Sequence, residues 1–315
     1  MSRIVVTGGA GFVGSHLCEA LLGRGDQVVA VDNLSTSVGD NVEHLRDHAA
    51  FELVVADVVQ GIPVTGDVDG VLHLASPASP PEYLAMPFET LDVNSIGTRR
   101  ALDLARANDA PFLLASTSEI YGDPLVHPQT EDYNGNVNSV GLRAVYDEAK
   151  RFAETLTMTY HRQYGLPTRI VRIFNTYGPR LRPADGRVVS NFLVQAIAGG
   201  PLTVYGTGTQ TRSFCFVEDE VRGILALFDS EVVDPVNIGN PVEYTMLELA
   251  EMVCEVAGVE AALVFEALPQ DDPTRRRPDI TGARELLGWE PKIELREGLE
   301  RTYAWYLEER ARGHA

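Results

Sequence analysis

Two short stretches hold side chains that could move a hydride and a proton together. Ser116-Thr117-Ser118-Glu119 groups hydroxyls with a carboxylate, and Tyr146-Asp147-Glu148-Ala149-Lys150 carries a phenol and an ammonium. Tyr146 and Lys150 stand four residues apart, which puts both on one face of a helix. An ammonium near a phenol favours the phenolate and lowers the tyrosine pKa toward working pH, as a general base for alcohol oxidation requires. Taken alone, such a pair also reads as ordinary solvated helix surface. What precedes it in the chain turns the reading toward chemistry.

Gly8, Gly11 and Gly14 form a G-x-x-G-x-x-G pattern, with Phe12 and Val13 between the last two, directly after the apolar run Arg3 to Val6. A tight turn, a close backbone approach to a pyrophosphate and close helix–strand packing each call for a residue without a side chain, and a helix N-terminus supplies N–H donors. Glycine loops also serve as plain turns, so the next strand matters. It ends at Asp32-Asn33, close to the ~20 residues beyond the glycines expected of the carboxylate that binds an adenosine ribose. A carboxylate there repels a 2′-phosphate, which predicts NAD rather than NADP. Ligands collect at the carboxyl ends of parallel strands. Asp57 and Val58, ending the third apolar run, are therefore expected at the adenine, and Leu74, Ala75 and Ser76, ending the fourth, under the nicotinamide ribose.

The elements that must position these groups are legible as short apolar runs alternating with helical patterns. The runs cover Arg3 to Val6, Gln27 to Asp32, Phe51 to Ala56, Gly70 to Leu74, Pro111 to Ala115 and Thr168 to Phe174. Such alternation predicts an α/β fold: a doubly wound parallel sheet covered by helices on both faces. Pro87 to Ala107 and Tyr146 to Tyr164 carry apolar residues near helical spacing and are expected to be the two longest helices of the first half. After Phe174 glycine- and proline-rich loops break the regularity. We therefore expect a cofactor-binding domain over 1–174 and a smaller C-terminal α/β substrate domain over 175–315, with 213–232 packing back onto the first. The second is expected to hold helices near Val188 to Ile197, Thr245 to Ala257 and Leu295 to Glu309, and short strands at Leu202 to Tyr205 and Val236 to Ile238.

Composition narrows the partners. Against 26 basic residues stand 45 acidic ones, for a net charge of −19 over 315 residues. The resulting field repels nucleic-acid backbones and anionic lipid, so an anionic small molecule must be met by locally placed arginines. No apolar run approaches the ~18 residues of a membrane span. Cys18, Cys215 and Cys254 are odd in number and lack metal-ligand spacing, which reads as a reduced cytoplasmic protein with no metal site.

Together, the glycine loop, Asp32, the hydroxyls ending the fifth run and Tyr-x-x-x-Lys resemble the extended short-chain dehydrogenase/reductase family, whose cofactor domain is a Rossmann sheet. The resemblance narrows to the family's UDP-glucuronate decarboxylase branch. It is carried by His73-Leu-Ala-Ser-Pro-Ala-Ser-Pro-Pro-Glu-Tyr83, Ser116 to Pro124, Ile173 to Arg180, Asp185 to Phe192, Gln210 to Phe214 and Arg276 to Asp279. It implies oxidation of the sugar C4 hydroxyl by bound NAD, loss of carbon dioxide from the 4-keto intermediate and re-reduction to UDP-xylose, with release of the 4-keto pentose as a competing outcome. Tyr146 would be the base, Lys150 its partner and a ribose ligand, and Thr117 a donor to the C4 oxygen. Ser118, Glu119 and Arg276 would serve C5 and C6. Pro80, Asn175, Arg180, Val189, Asn191, Tyr205, Gln210 and Arg212 would hold the rest of the UDP-sugar. A homodimer built on the two long helices is also implied.

Departures fall around the substrate: Val145 replaces the branch's common Cys, Asn134 an aromatic residue and Ser139 a Pro. None removes a catalytic group, but they bear on the loop over the substrate. A nucleotide-sugar 4,6-dehydratase would carry Asp where Ser118 stands, because it must protonate a leaving C6 hydroxyl. A 4-epimerase would normally lack the carboxylate of Glu119. A non-catalytic NAD-dependent sensor would be expected to lose Tyr146 or Lys150.

Overall fold

A computed structural model describes residues 1–37, 40–183, 185–260, 262–267 and 275–313. Its first half alternates strand and helix: β1 (Arg3–Thr7), α1 (Phe12–Gly23), β2 (Gln27–Asp32), β3 (Phe51–Val55), β4 (Gly70–His73), α2 (Pro80–Ala85), α3 (Pro87–Asp92), α4 (Thr98–Ala107), β5 (Phe112–Thr117), α5 (Ala144–Tyr164) and β6 (Thr168–Ile173). Then follow β7 (Thr176–Tyr177), α6 (Val188–Ala198), β8 (Leu202–Tyr205), β9 (Thr211–Ser213), β10 (Cys215–Phe216), α7 (Val217–Phe228) and β11 (Val236–Ile238). The chain closes with β12 (Glu243–Thr245), α8 (Met246–Ala257), β13 (Leu263–Glu266), β14 (Arg275–Arg276), α9 (Thr281–Leu287) and α10 (Leu295–Arg312).

Seven strands form one parallel sheet in the order β11-β6-β5-β4-β1-β2-β3. The order reverses between β1 and β4, and that switch point opens the crevice where such sheets bind ligands. Alternation along each strand divides its side chains between two cores. Ile4, Val6, Val28 and Ala30 face one; Val5, Val29, Val31 and Val71 face the other. Both are buried, as the unbroken apolar runs require of a parallel sheet. The first core continues without interruption through Phe192, Phe216, Leu249, Trp289 and Leu299 into the C-terminal half.

Two findings refine the expected elements. The apolar stretch from Pro87 to Ala107 is helical throughout, but a π-helical turn at Val93–Gly97 separates α3 from α4. A methyl group on Gly97 would lie 2.9 Å from Val58 Cγ2 and 3.3 Å from Val93 Cγ2, so the turn brings this helix close against the third strand's exit. The short strand at Val236–Ile238 joins the main sheet as its seventh strand, beside β6. Outside that sheet, β9 lies between antiparallel β12 and parallel β14, and β8 pairs with β13.

Candidate active site

At the carboxyl end of the sheet lies a cavity of about 850 Å³, lined by every residue singled out above as catalytic, cofactor-binding or substrate-binding. The glycine loop bounds one end. Gly8 sits at φ +70°, and a Cβ there would lie 2.8 Å from the Ala75 nitrogen. A Cβ on Gly14 would lie 2.1 Å from the Gly8 carbonyl oxygen, so the first turn of α1 packs on the loop only because no side chain intervenes. Asp32, at the end of β2, accepts hydrogen bonds from the Ala10 N–H at 3.0 Å and the Leu34 N–H at 2.8 Å. Burial raises its pKa, and those backbone donors together with Ser37 oppose the rise. The cradle and the carboxylate at its far side fit a dinucleotide.

The middle of the cavity is built by β5 and α5. Thr117 closes β5 and caps the 3₁₀ turn that follows by accepting the Glu119 N–H at 3.2 Å. Its hydroxyl also hydrogen-bonds Tyr146, whose ring stacks on Tyr83 with centroids 5.0 Å apart. Lys150 Nζ donates to the Ala115 carbonyl at 2.9 Å and lies 5.8 Å from the Tyr146 ring centroid. One expectation is corrected here. Burial raises the Tyr146 pKa and the Glu119 charge raises it further, while the Thr117 hydrogen bond and the Arg187 charge act the other way. Burial brings Lys150 itself down to about 8, and its ammonium donates to a backbone carbonyl.

Beyond Tyr146 the cavity becomes ionic. Arg276 from β14 meets Glu119 with both terminal nitrogens, one at 2.9 Å, and Arg143 meets the same carboxylate at 2.6 Å. Burial alone would raise the Glu119 carboxyl; the two guanidiniums overcome it and hold it at about 2. Beside them Asp147 is buried, and its carboxyl is pushed up to about 7 by that burial and by the Glu119 charge. Ser118 is buried next to Glu119 and adds a hydroxyl to the wall.

Arg143, Asp147 and Tyr83 were not singled out from the sequence. Arg143 had a usable signal: it precedes Tyr146 by three residues and Lys150 by seven, so all three fall on one helical face. The other substrate-side residues line the remaining wall. Gln210 donates to the Tyr205 carbonyl at 2.6 Å, Asn191 to the Gly186 carbonyl at 3.1 Å, and Arg212 to the Thr211 carbonyl at 2.9 Å. Arg180 lines the cavity at another place. Its guanidinium pairs with Glu19 of α1 at 2.5 Å and lies 3.2 Å from His44 Nε2, at the glycine-loop end.

A doubly wound sheet with a glycine cradle at its switch point and a buried Tyr–Lys–hydroxyl set beside it has the layout of a dinucleotide-dependent enzyme. Comparison with known proteins is more particular. Residues 4–239 match the NAD dependent epimerase/dehydratase family, and the chain belongs to that family. It is 56% identical over 299 residues to UDP-glucuronic acid decarboxylase 1 of Arabidopsis thaliana, covering 95% of this chain and 68% of the plant protein. To UDP-glucuronic acid decarboxylase 1 of Danio rerio it is 52% identical over 307 residues, covering 98% and 73%. Among solved structures, a UDP-glucuronic acid 4-epimerase variant from Bacillus cereus, crystallised with UDP-4-deoxy-4-fluoro-glucuronic acid and NAD, superposes with a TM-score of 0.89 at 29% identity, over 97% of this chain and 99% of the epimerase.

Proposed function

We propose that this protein decarboxylates UDP-glucuronate to UDP-xylose with NAD as a bound, regenerated cofactor. The observation that carries the reading is the Glu119 carboxylate gripped by Arg276 and Arg143 in the same cavity as Thr117, Tyr146 and Lys150. An epimerase has no use for that cluster, and a dehydratase would need an acid where Ser118 stands. The decarboxylases named above, at 52–56% identity, support the same activity.

Gly8, Gly11, Phe12, Val13 and Gly14 would cradle the cofactor's pyrophosphate, Asp32 and Asn33 its adenosine ribose, Asp57 and Val58 its adenine, and Leu74 to Ser76 with Lys150 its second ribose. When bound, the oxidised nicotinamide supplies a hydride acceptor and a positive charge. The Tyr146 oxygen takes the C4 hydroxyl proton as the C4 hydride leaves, with Thr117 donating to the C4 oxygen. The resulting ketone is β to the carboxylate. The C5–C6 bond then breaks, carbon dioxide departs, and the electron pair spreads from C5 onto the C4 oxygen as an enolate. Arg276 and Arg143 hold positive charge beside that centre, and C5 takes a proton from solvent, in place of the lost carboxylate, at the wall formed by Ser118 and the ionised Glu119. With the bound cofactor supplying the hydride, the Tyr146 hydroxyl would return its proton to the C4 oxygen as the ketone is reduced.

In this reading residues 1–174, with 213–232 and the sheet strand Val236–Ile238, form the cofactor domain, and the remainder of 175–315 forms the sugar-nucleotide domain. The protein acts as a homodimer: Leu91 on α3, Ile96 in the π-helical turn and Phe152 on α5 are exposed, as is Phe88 at 76%, and paired helices would cover them. Its three unpaired cysteines agree with a cytoplasmic setting. No described helix is long and apolar enough to cross a membrane. The test is incubation with UDP-glucuronate and NAD followed by mass analysis of the sugar nucleotide. Release of one carbon dioxide per turnover without net NADH supports the reading; UDP-galacturonate with all six carbons retained overturns it.

A further inference from the structure

The segment that carries Arg276 has little regular structure of its own. β14 is two residues long and pairs on one side with β9, Arg275 opposite Thr211 and Arg276 opposite Arg212. Just beyond it, at Arg277 to Asp279, the segment meets Gln129, a fully buried residue that no reading of the active site uses. The Gln129 N–H donates to the Arg277 carbonyl at 2.9 Å, and the Asp279 N–H donates to the Gln129 carbonyl at 2.8 Å. The side chain closes the clamp: the Arg277 N–H donates to Gln129 Oε1 at 2.8 Å, while Gln129 Nε2 donates to the Val126 carbonyl at 2.8 Å. Both ends of the amide are used, so the Gln129 side chain has little freedom to turn.

The clamp is itself tied to the 3₁₀ turn after β5 that carries Glu119. Asn237 Nδ2 donates to the Gln129 carbonyl at 3.0 Å and to the Asp279 carbonyl at 3.2 Å. Asn237 Oδ1 accepts the Tyr121 hydroxyl at 2.7 Å, and that hydroxyl accepts from Arg172 Nη1 at 3.0 Å. Arg172 grips Glu154 through two nitrogens at 3.0 and 2.9 Å, and Glu154 accepts the Ser116 hydroxyl at 2.5 Å. A continuous buried polar network therefore runs from Ser116, beside Thr117, to the backbone on either side of Pro278. Such a network rigidifies when every member is satisfied.

We propose that Gln129 is a positioning residue for the decarboxylation half of the reaction, holding the Arg276 guanidinium in register with Glu119 through the backbone of Arg277. The inference rests on the activity proposed above. It goes beyond it in separating the residue's effect on carbon–carbon cleavage from its effect on hydride transfer, since the Gln129 side chain holds the Arg277 backbone directly, whereas β5 and α5, which carry Thr117, Tyr146 and Lys150, are reached only through Asn237, Tyr121 and Arg172. A misplacement of about 1 Å in a reacting group can cost on the order of 10²-fold in rate.

Two variants of the full-length, NAD-loaded protein test it in single turnovers with UDP-glucuronate, read by NADH absorbance and by released carbon dioxide. Gln129→Met keeps the volume and removes both side-chain hydrogen bonds; Gln129→Glu keeps the acceptor for the Arg277 N–H. In the Met variant NADH should form within about 3-fold of the wild-type rate, while carbon dioxide release slows by roughly 10- to 100-fold and the NADH signal persists. The Glu variant should recover part of the loss. Equal slowing of both steps, or of neither, would overturn the proposal. If the Met variant does not fold, an unchanged ratio of the two rates in the Glu variant does so. Failure of the activity itself is distinguishable, because the wild-type protein would then release no carbon dioxide.

Discussion

The two ends of the cavity are built on different principles. At the glycine-loop end the shape comes from backbone: N–H groups, missing side chains and one strand-end carboxylate, all within the first 37 residues. At the reacting end it comes from charged side chains far apart in the chain, with Arg276 reaching Glu119 across 157 positions. The first end depends on short-range geometry, whereas the second depends on how the two halves pack. Substitutions at the first should therefore change which cofactor binds, and substitutions at the second which step proceeds.

The largest effect is expected where the two ends meet. Tyr146→Phe removes the proton-accepting oxygen but keeps the ring stacked on Tyr83, so C4 oxidation should fall ~10²- to 10⁴-fold while NAD still binds. Near wild-type turnover would show that the phenol is not the base.

Next in size is a break confined to the reacting end. Glu119→Gln and Arg276→Ala should both still form NADH in the first turnover and then stall before carbon dioxide is lost, slowing that step roughly 10²-fold. Were both variants to make neither NADH nor product while still binding substrate, Glu119 and Arg276 would belong to ground-state organisation, and the division between the ends would collapse.

At the cofactor end, Asp32→Ala should narrow the preference for NAD over NADP by about ten-fold, or roughly 1.4 kcal/mol, by removing a negative charge facing the 2′-position. Direct binding of the two dinucleotides checks this; an unchanged ratio would mean that Asp32 does not face the ribose.

The smallest effect concerns proton linkage. Burial and Glu119 hold Asp147 at about 7, above the ~3.9 of an unfolded aspartate. Between those values the folded state binds the extra proton, so stability falls as pH rises from about 4 to 7. Asp147→Asn should flatten that part of the thermal-stability profile. Glu119, held at about 2, has the opposite sign: its contribution is present above about 4 and is lost as the pH falls toward 2. Glu119→Gln should therefore flatten the acid limb instead. Identical profiles in wild type and both variants would remove the coupling between the carboxyls.

Much of this was legible in the linear chain for physical reasons. Strands β1, β2, β4, β5 and β6 appear as apolar runs because both faces of a parallel sheet are buried, whereas β3 at the sheet edge is only partly covered. The glycine loop and Asp32 are legible because a dinucleotide cradle is a local motif, and the Tyr146–Lys150 pair because helical spacing converts directly into a shared face. The seventh strand was read as an element, but its place beside β6 was not, since three residues carry no sign of their neighbour.

What only the tertiary structure decided is the electrostatic state of the site. Adjacency in sequence does not specify depth of burial, and burial sets whether Tyr146 and Asp147 are raised and Lys150 lowered. Nor could spacing reveal that Arg180 pairs with Glu19 at the cofactor end, or that Arg143 and Arg276 share one carboxylate. Those pairings depend on three-dimensional packing that joins residues from separate elements. The chain by itself therefore determined which groups are available and on which element each lies. Their charges and partners were set by the fold, because the desolvation and Coulomb terms that govern them depend on distance through space.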